Sequence, residues 1–280
     1  MQLTKIPAIT EKVTVPRENF PHPLVVAALE AQVMPQARQL AEALGLPLLD
    51  WAQTANQLVL TVTMERLELH ARLQGHSQPM YVDFSAAIAH ARRQEGLRQP
   101  LARAAGLKSG VRPSILDATP GLGRDAFVLA ALGCPVRMVE RSPVMVALLA
   151  DGLRRAAREC PLEASRMELC SGDAVSQLTQ WPHEQRPDVI YLDPMHPERT
   201  KAALVKKEMR LLRELVGDDG DADALLQAAL THAGQRVVVK RPRLGVSLAG
   251  PAPQAVITGR TVRYDLYFPR QMGHEDLGGR

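Results

Sequence analysis

From residue 114 onward, short apolar runs alternate with stretches of helical periodicity. SILDA precedes GRDAFVLAALG, and VRMVE precedes SPVMVALLADGLRRAARE. RMELCSGD, DVIYLDP and RVVVKRP follow in turn. Strands alternating with helices at this spacing predict βαβ units and a mostly parallel sheet. The end of the chain breaks the alternation. AVITGRTVRYDLYF reads as two adjacent strands with a tight turn near Gly259, an antiparallel hairpin at the edge of the sheet. The expected fold class is therefore α/β and Rossmann-like, with a small N-terminal α+β region in front.

That N-terminal region has its own pattern. Residues 24–44 place Leu24, Ala28, Val33, Ala37, Leu40 and Leu44 at broadly helical spacing, with Gly45 and Pro47 as stops. Residues 57–63 and 67–73 alternate apolar and polar, as half-buried strands do, and PMYVDF at 79–84 reads as a further strand. The expected division is 1–84 for this region, 85–113 for a basic helical connector, 114–270 for the main domain and 271–280 for a tail. Hydrophobic residues make up 46% of the 280 and aromatics only 4%, so the core must rest on Leu, Val and Ala. Cys134, Cys160 and Cys170 are not spaced as metal ligands, and their odd number argues against a disulfide framework. The start, MQLTKIPAITEK, lacks a signal-peptide stretch, and no apolar run reaches membrane-span length, so a cytoplasmic protein is expected.

Asp117-Ala-Thr-Pro-Gly121-Leu-Gly123-Arg124-Asp125 follows a strand and opens a helix. Glycines there let the backbone turn sharply and let a ligand come close. An acid ending the strand, Asp117, suits a cationic amino-acid ligand better than a pyrophosphate. Glu140 ends the second strand, where an acid pairs with ribose hydroxyls. Asp173 lies just past the third strand, where adenine contacts are usual. The C-terminal strand ends of open α/β sheets are where ligands bind.

After the fourth strand comes Asp193-Pro194-Met195-His196-Pro197. It resembles the D/N-P-P-Y/F loop of amino-directed methyltransferases. An exocyclic amine on a base is a poor nucleophile because its lone pair is delocalised into the ring. Hydrogen bonds to Asp193 Oδ and the Pro194 carbonyl would hold its nitrogen pyramidal and aimed at a methyl donor. His196, flat and next in the loop, is placed to stack on a flipped base. The hairpin at the sheet edge fits the same fold.

Net charge is +4, and its distribution says more than its size. Arg92 and Arg93 lie in one basic cluster, Lys206 and Lys207 in a second, and Lys240 and Arg241 in a third. All six are expected to contact RNA phosphates around the pocket.

DATPGLGRDAFVLA, VRMVERSPV, YLDPMHPERTKAALVKKEMR and RVVVKRP closely resemble the ribosomal RNA small-subunit methyltransferase J family, guanine-N2 methyltransferases of 16S ribosomal RNA. PMYVDFSAAIAHARR fits it too, so the resemblance spans roughly 79–268. It implies S-adenosylmethionine (SAM) as cofactor, with contacts on Arg124, Asp125, Glu140, Arg141, Asp173, Ala174 and Asp193. It implies 16S ribosomal RNA or the small subunit as partner, a target guanine in the 3′-terminal hairpin region, and no metal. The chain departs from the family pattern at His196, where Phe is expected, and at Asp173, where a small hydroxyl residue is expected. Three rival readings remain at this point, one of them a methyltransferase acting on DNA or on adenine, since the loop alone does not separate adenine N6 from guanine N2. The glycine pattern with Glu140 also suits an NAD-dependent Rossmann oxidoreductase, and a non-catalytic RNA-binding assembly factor could retain the same fold.

Overall fold

The computed structural model describes residues 23–55, 57–72, 78–85, 96–194 and 221–269. In chain order the strands are β1 (Leu24–Ala28), β2 (Leu58–Val62), β3 (Leu67–Ala71), β4 (Ile115–Asp117), β5 (Val136–Glu140), β6 (Met167–Ser171), β7 (Val189–Leu192), β8 (Arg236–Pro242), β9 (Ala255–Thr258) and β10 (Val262–Tyr267). The helices are α1 (Met34–Leu44), α2 (Pro100–Ala104), α3 (Arg124–Ala131), α4 (Pro143–Glu159), α5 (Pro161–Ala164), α6 (Ala174–Gln180) and α7 (Ala222–His232).

Among the described residues, seven strands form the main sheet in the order β6-β5-β4-β7-β8-β10-β9. Its first five strands pair in parallel. β10 inserts antiparallel between β8 and β9, closing the sheet with the expected hairpin. The turn is tied by Gly259 N–H donating to Val262 O at 2.8 Å. The order of strands reverses around β4, so the crevice above β4 and β7 is where such a sheet binds ligands.

A two-residue period divides the sheet into two faces. Ile115, Met138, Tyr191, Val238 and Leu266 point into one core, under α3 and α4. Leu116, Val139, Ile190, Val237, Val239 and Tyr267 point into the other, under α6 and α7. Each fully buried Leu, Val or Ile is worth about 1.5–3 kcal/mol over its exposed state, so both faces hold the sheet. Followed to the C-terminal strand ends, the first face carries polar residues: Asp117, Glu140, Asp193 and Lys240. The period that builds the core thus also assembles the site.

The N-terminal sheet has the order β1-β2-β3 and shares the first core: Val26, Leu58, Leu60 and Leu69 belong to the same buried cluster as Phe127 and Leu149. Phe84 stacks on Phe127 with ring centroids 4.5 Å apart. Two expectations are corrected here. Residues 24–44 are not one helix: Leu24–Ala28 is a strand parallel to β2, and only Met34–Leu44 is α-helical. LVVAA is a short, continuous apolar run, which period alone cannot assign; its β-branched pair and its buried place beside β2 decide for strand. Gly45 does end α1, at φ +63°. Residues 79–84 do not form a ladder either. Met80 alone bridges to Leu69, with N–H···O distances of 2.9 and 2.7 Å. Beyond it the chain leaves the sheet, and Val82 and Phe84 pack down towards α4 and the turn before α3. Among the described residues, no helix is long and apolar enough to cross a membrane.

Candidate active site

A cavity of about 280 Å³ opens above the C-terminal ends of β4, β5, β6 and β7. Small-ligand pockets span roughly 300–1,000 Å³, so this one lies near the lower end. Leu122, Val139, Val175 and Leu225 supply apolar wall. Asp117, Gly121, Arg124, Asp125, Glu140, Arg141, Asp173, Ala174, Asp193 and Pro194 all line it, so ten expected site residues converge on one space.

Each is held for a local reason. Asp117 ends β4 at 1% exposure and accepts Thr119 N–H at 3.1 Å. Burial drives its pKa well above the ordinary value. The Thr119 hydrogen bond opposes that shift, neighbouring Asp125 and Asp193 add to it, and Lys240 opposes it. Glu140 ends β5, and its Oε1 accepts Ser142 N–H at 2.8 Å, beside the Pro143 start of α4. Asp173 caps α6, accepting Ser176 N–H at 2.8 Å, so it is both helix cap and pocket wall. Arg141 pairs with Asp221 at 2.8 Å across the mouth; both are at least a third exposed, so the pair adds little stability.

Gly121 and Gly123 separate in role. Gly121 has φ +52°, and a Cβ there would meet no heavy atom within 4 Å. Gly123 was expected at the ligand, but it lies outside the lining. It is the N-cap of α3 at φ +70°, and a Cβ there would sit 3.0 Å from Leu149 and 3.1 Å from Phe84. Its missing side chain leaves room for Leu149 of α4 and for Phe84 of the N-terminal unit.

The third basic cluster is also corrected. Arg241 is 6% exposed, and its Nε donates to Val246 O at 2.8 Å, pinning the loop after β8. Lys240, its neighbour on the strand, points to the opposite face and into the cavity. Its Nζ lies 2.8 Å from Asp125 Oδ2 and 2.9 Å from Asp193 Oδ2. Burial by itself would lower its pKa, but the pull of the two carboxylates and the hydrogen bonds to them outweigh burial and raise it. A lysine so engaged is not a surface phosphate contact. Arg92, Arg93, Lys206, Lys207 and His196 lie outside the described residues.

Sequence reasoning missed Tyr191, Thr119 and Asp221. Tyr191 is fully buried and donates its hydroxyl to Asp125 Oδ2 at 2.6 Å. Burial first, then the nearby carboxylates Asp125 and Asp193, drive its pKa well up, so it remains a donor. Strand period could have found it, since it stands two residues before Asp193. Thr119 Oγ1 accepts Asp193 N–H at 2.6 Å, tying the two ligand loops together. Asp221 carried no local signal, because Arg141 is 80 residues away.

The donor set fits SAM. A buried carboxylate at β4 suits the ammonium of its methionine part, and a second at β5 suits ribose hydroxyls. Apolar walls beside Asp173 suit the adenine. Among the described lining residues, Asp117, Asp125, Glu140, Asp173, Asp193 and Asp221 outnumber Arg124, Arg141 and Lys240, which suits a cationic ligand better than a pyrophosphate.

Comparisons with known proteins agree. A family model described as "Putative SAM-dependent methyltransferase" matches residues 39–269. Ribosomal RNA small subunit methyltransferase J of Nitrosococcus oceani is 55% identical over 239 residues, covering 83% of this chain and 93% of that protein. The protein of the same name from Pseudomonas aeruginosa PAO1 is 50% identical over 257 residues, covering 89% and 96%. The crystal structure of a SAM-dependent methyltransferase from Neisseria gonorrhoeae matches with a TM-score of 0.69 at 35% identity, over 89% of this chain and 98% of that one.

Proposed function

Because this chain belongs to the ribosomal RNA small subunit methyltransferase J family, a family of SAM-dependent methyltransferases, we propose that it methylates the exocyclic N2 amine of a guanosine in the 3′-terminal region of 16S ribosomal RNA. Membership removes the NAD-dependent reading. The observation that carries the proposal is Asp193-Pro194 at the end of β7, in one cavity wall with Asp117, Asp125 and Glu140.

When bound, SAM supplies an electrophilic methyl group on a sulfonium, which departs as a neutral thioether without any metal. Asp117 and Glu140 hold the cofactor by its ammonium and its ribose. Arg124, Asp125, Arg141, Asp173 and Ala174 complete that shell. Asp193 and the Pro194 carbonyl accept the two amine hydrogens of the target base. This concentrates the nitrogen lone pair and directs it along the line of transfer, and the methylated nitrogen then loses one proton, by way of the Asp193 hydrogen bond, to solvent. The base must leave its stack to bring its amine against Asp193 and Pro194, and His196 is the flat side chain assigned to receive it. Arg92, Arg93, Lys206 and Lys207 are assigned to the surrounding phosphates. The substrate is the 16S RNA or the small subunit, which places the reaction in the cytoplasm.

The decisive experiment maps 16S RNA by mass from cells lacking this gene, then restores the methyl group with purified protein and SAM. Loss and restoration of one N2-methylguanosine near the 3′ end is the expected result. An unchanged RNA, or a methyl on adenine, refutes the assignment. Protein that binds SAM and subunit but transfers nothing would be an assembly factor instead.

A further inference from the structure

Lys240 sits where two functions meet. Asp125 belongs to the start of α3, on the cofactor side of the cavity, and Asp193 follows β7, on the side assigned to the target amine. Their facing Oδ2 atoms share one ammonium, at 2.8 and 2.9 Å. The Lys240 side chain is 22% exposed, and Asp125 is further fixed by the Tyr191 hydroxyl at 2.6 Å. Asp193 is fixed from the backbone side by Thr119 at 2.6 Å. Among the described residues, the titratable groups facing this cluster include Asp117 from β4, Asp125 from α3, Tyr191 from β7, Asp193 just after it, and Tyr264 from β10. Lys240 is thus bound by two carboxylates, with that of Asp117 close enough to feel its charge.

We propose that Lys240 is a positioning residue for methyl transfer: it holds the Asp193 carboxylate ionised and in a fixed plane toward the target amine, and it sets that plane by the cofactor-side Asp125. This rests on the function proposed above. The physical need is plain. Without the cation, Asp125 and Asp193 face one another as like charges, which favours protonation of one of them. A protonated Asp193 presents a donor where the amine needs an acceptor. A neutral side chain at 240 would also let the Asp193 carboxylate rotate, and small misorientations near a reacting atom cost about 100-fold. Lysine satisfies both carboxylates with one small head group, carried on β8, the strand between β7 and β10.

The test is single-turnover methyl transfer to small-subunit RNA from a gene-deletion strain, with SAM and RNA saturating, across a pH series. Wild type, Lys240→Met, Lys240→Arg and the double variant Lys240→Met/Asp125→Asn are compared, with RNA affinity measured over a salt titration. For Lys240→Met the expected rate falls about 100-fold, and the acid limb of its pH profile moves to higher pH. Its RNA affinity and salt slope stay as in wild type. Lys240→Arg keeps the charge and recovers part of the rate with the limb back in place. In the double variant Lys240→Met/Asp125→Asn the facing charge is gone as well, so its acid limb returns towards the wild-type position; this variant and Lys240→Arg decide the matter if Lys240→Met does not fold. The proposal is overturned if Lys240→Met transfers at the wild-type rate. It is equally overturned if that variant loses RNA affinity and about 0.7–0.9 of the salt slope with its saturated rate intact, the mark of a phosphate contact. A rate loss with an unmoved acid limb and no rescue by arginine means packing alone, and also refutes it. Wild-type protein failing to transfer methyl to this RNA would instead defeat the underlying function.

Discussion

Asp117→Asn is the most searching substitution in the cofactor pocket, because it should improve one property and damage another. Asparagine is isosteric and keeps an oxygen to accept Thr119 N–H, now at 3.1 Å. What it removes is a charge at 1% exposure, flanked by Asp125 and Asp193. For binding, an ammonium about 3 Å from the carboxylate gains about 5 kcal/mol at an effective dielectric near 20. Desolvating the acid offsets part of that, leaving about 1.5–3 kcal/mol for a charge-assisted hydrogen bond. The expected loss of SAM affinity is therefore about 10- to 150-fold. For folding, the sign is opposite. The folded-state pKa of Asp117 is raised, so between about pH 4 and that raised value the folded protein holds a proton that the unfolded chain has released. Its stabilising contribution is complete below about pH 4 and is lost as pH rises through the folded value. The Asp117→Asn variant has no such loss, so its Tm relative to wild type should climb from pH 4 to neutrality. Titration calorimetry in two buffers of different ionisation enthalpy completes the assay. Wild type should release a proton on binding SAM as Asp117 ionises, whereas Asp117→Asn should release correspondingly less. Wild-type SAM affinity in Asp117→Asn, or a Tm difference flat with pH, would refute the reasoning.

Asp193→Ala, measured at saturating SAM and RNA, should lose about 2.7–4 kcal/mol of transition-state stabilisation, by analogy with one oxyanion-hole donor, while Asp193→Asn keeps an acceptor and some activity. A wild-type rate for the alanine variant would reduce the loop to a turn. Glu140→Ala should weaken SAM by about 1–3 kcal/mol in calorimetry, and unchanged affinity would remove Glu140 from the ribose site. Gly123→Ala should lower stability by about 1–3 kcal/mol in denaturant melts, since φ is +70° and its Cβ meets Leu149 and Phe84; a neutral effect would mean the N-terminal unit yields easily. Charge removal at Arg92, Arg93, Lys206 and Lys207 should flatten the salt dependence of RNA binding by up to about 0.9 log units per phosphate lost, and an unaltered slope would assign those residues elsewhere.

The sequence by itself determined the parallel core, its hairpin edge and the cluster of acids. Those features are local: a two-residue strand period and a position at a strand end can be read without knowing any partner. VRMVE and RVVVKRP coincide with β5 and β8 to the residue for that reason. LVVAAL could not be assigned in the same way, because an apolar run this short satisfies both periods and only pairing with β2 resolves it. Tertiary structure alone decided the partners of Lys240 and Arg241 and the surroundings of Gly123. Alternation says that Lys240 and Arg241 face opposite ways, but not which one meets carboxylates. The partners of Lys240 are 47 and 115 residues away in the chain, on two other elements. Gly123 likewise reads as a ligand-approach glycine until Phe84 and Leu149 are seen to fill the space beside it. Charge and backbone freedom are written in the sequence; what neutralises the one and occupies the other is settled only when distant segments pack, because Coulomb and contact forces act through space and not along the chain.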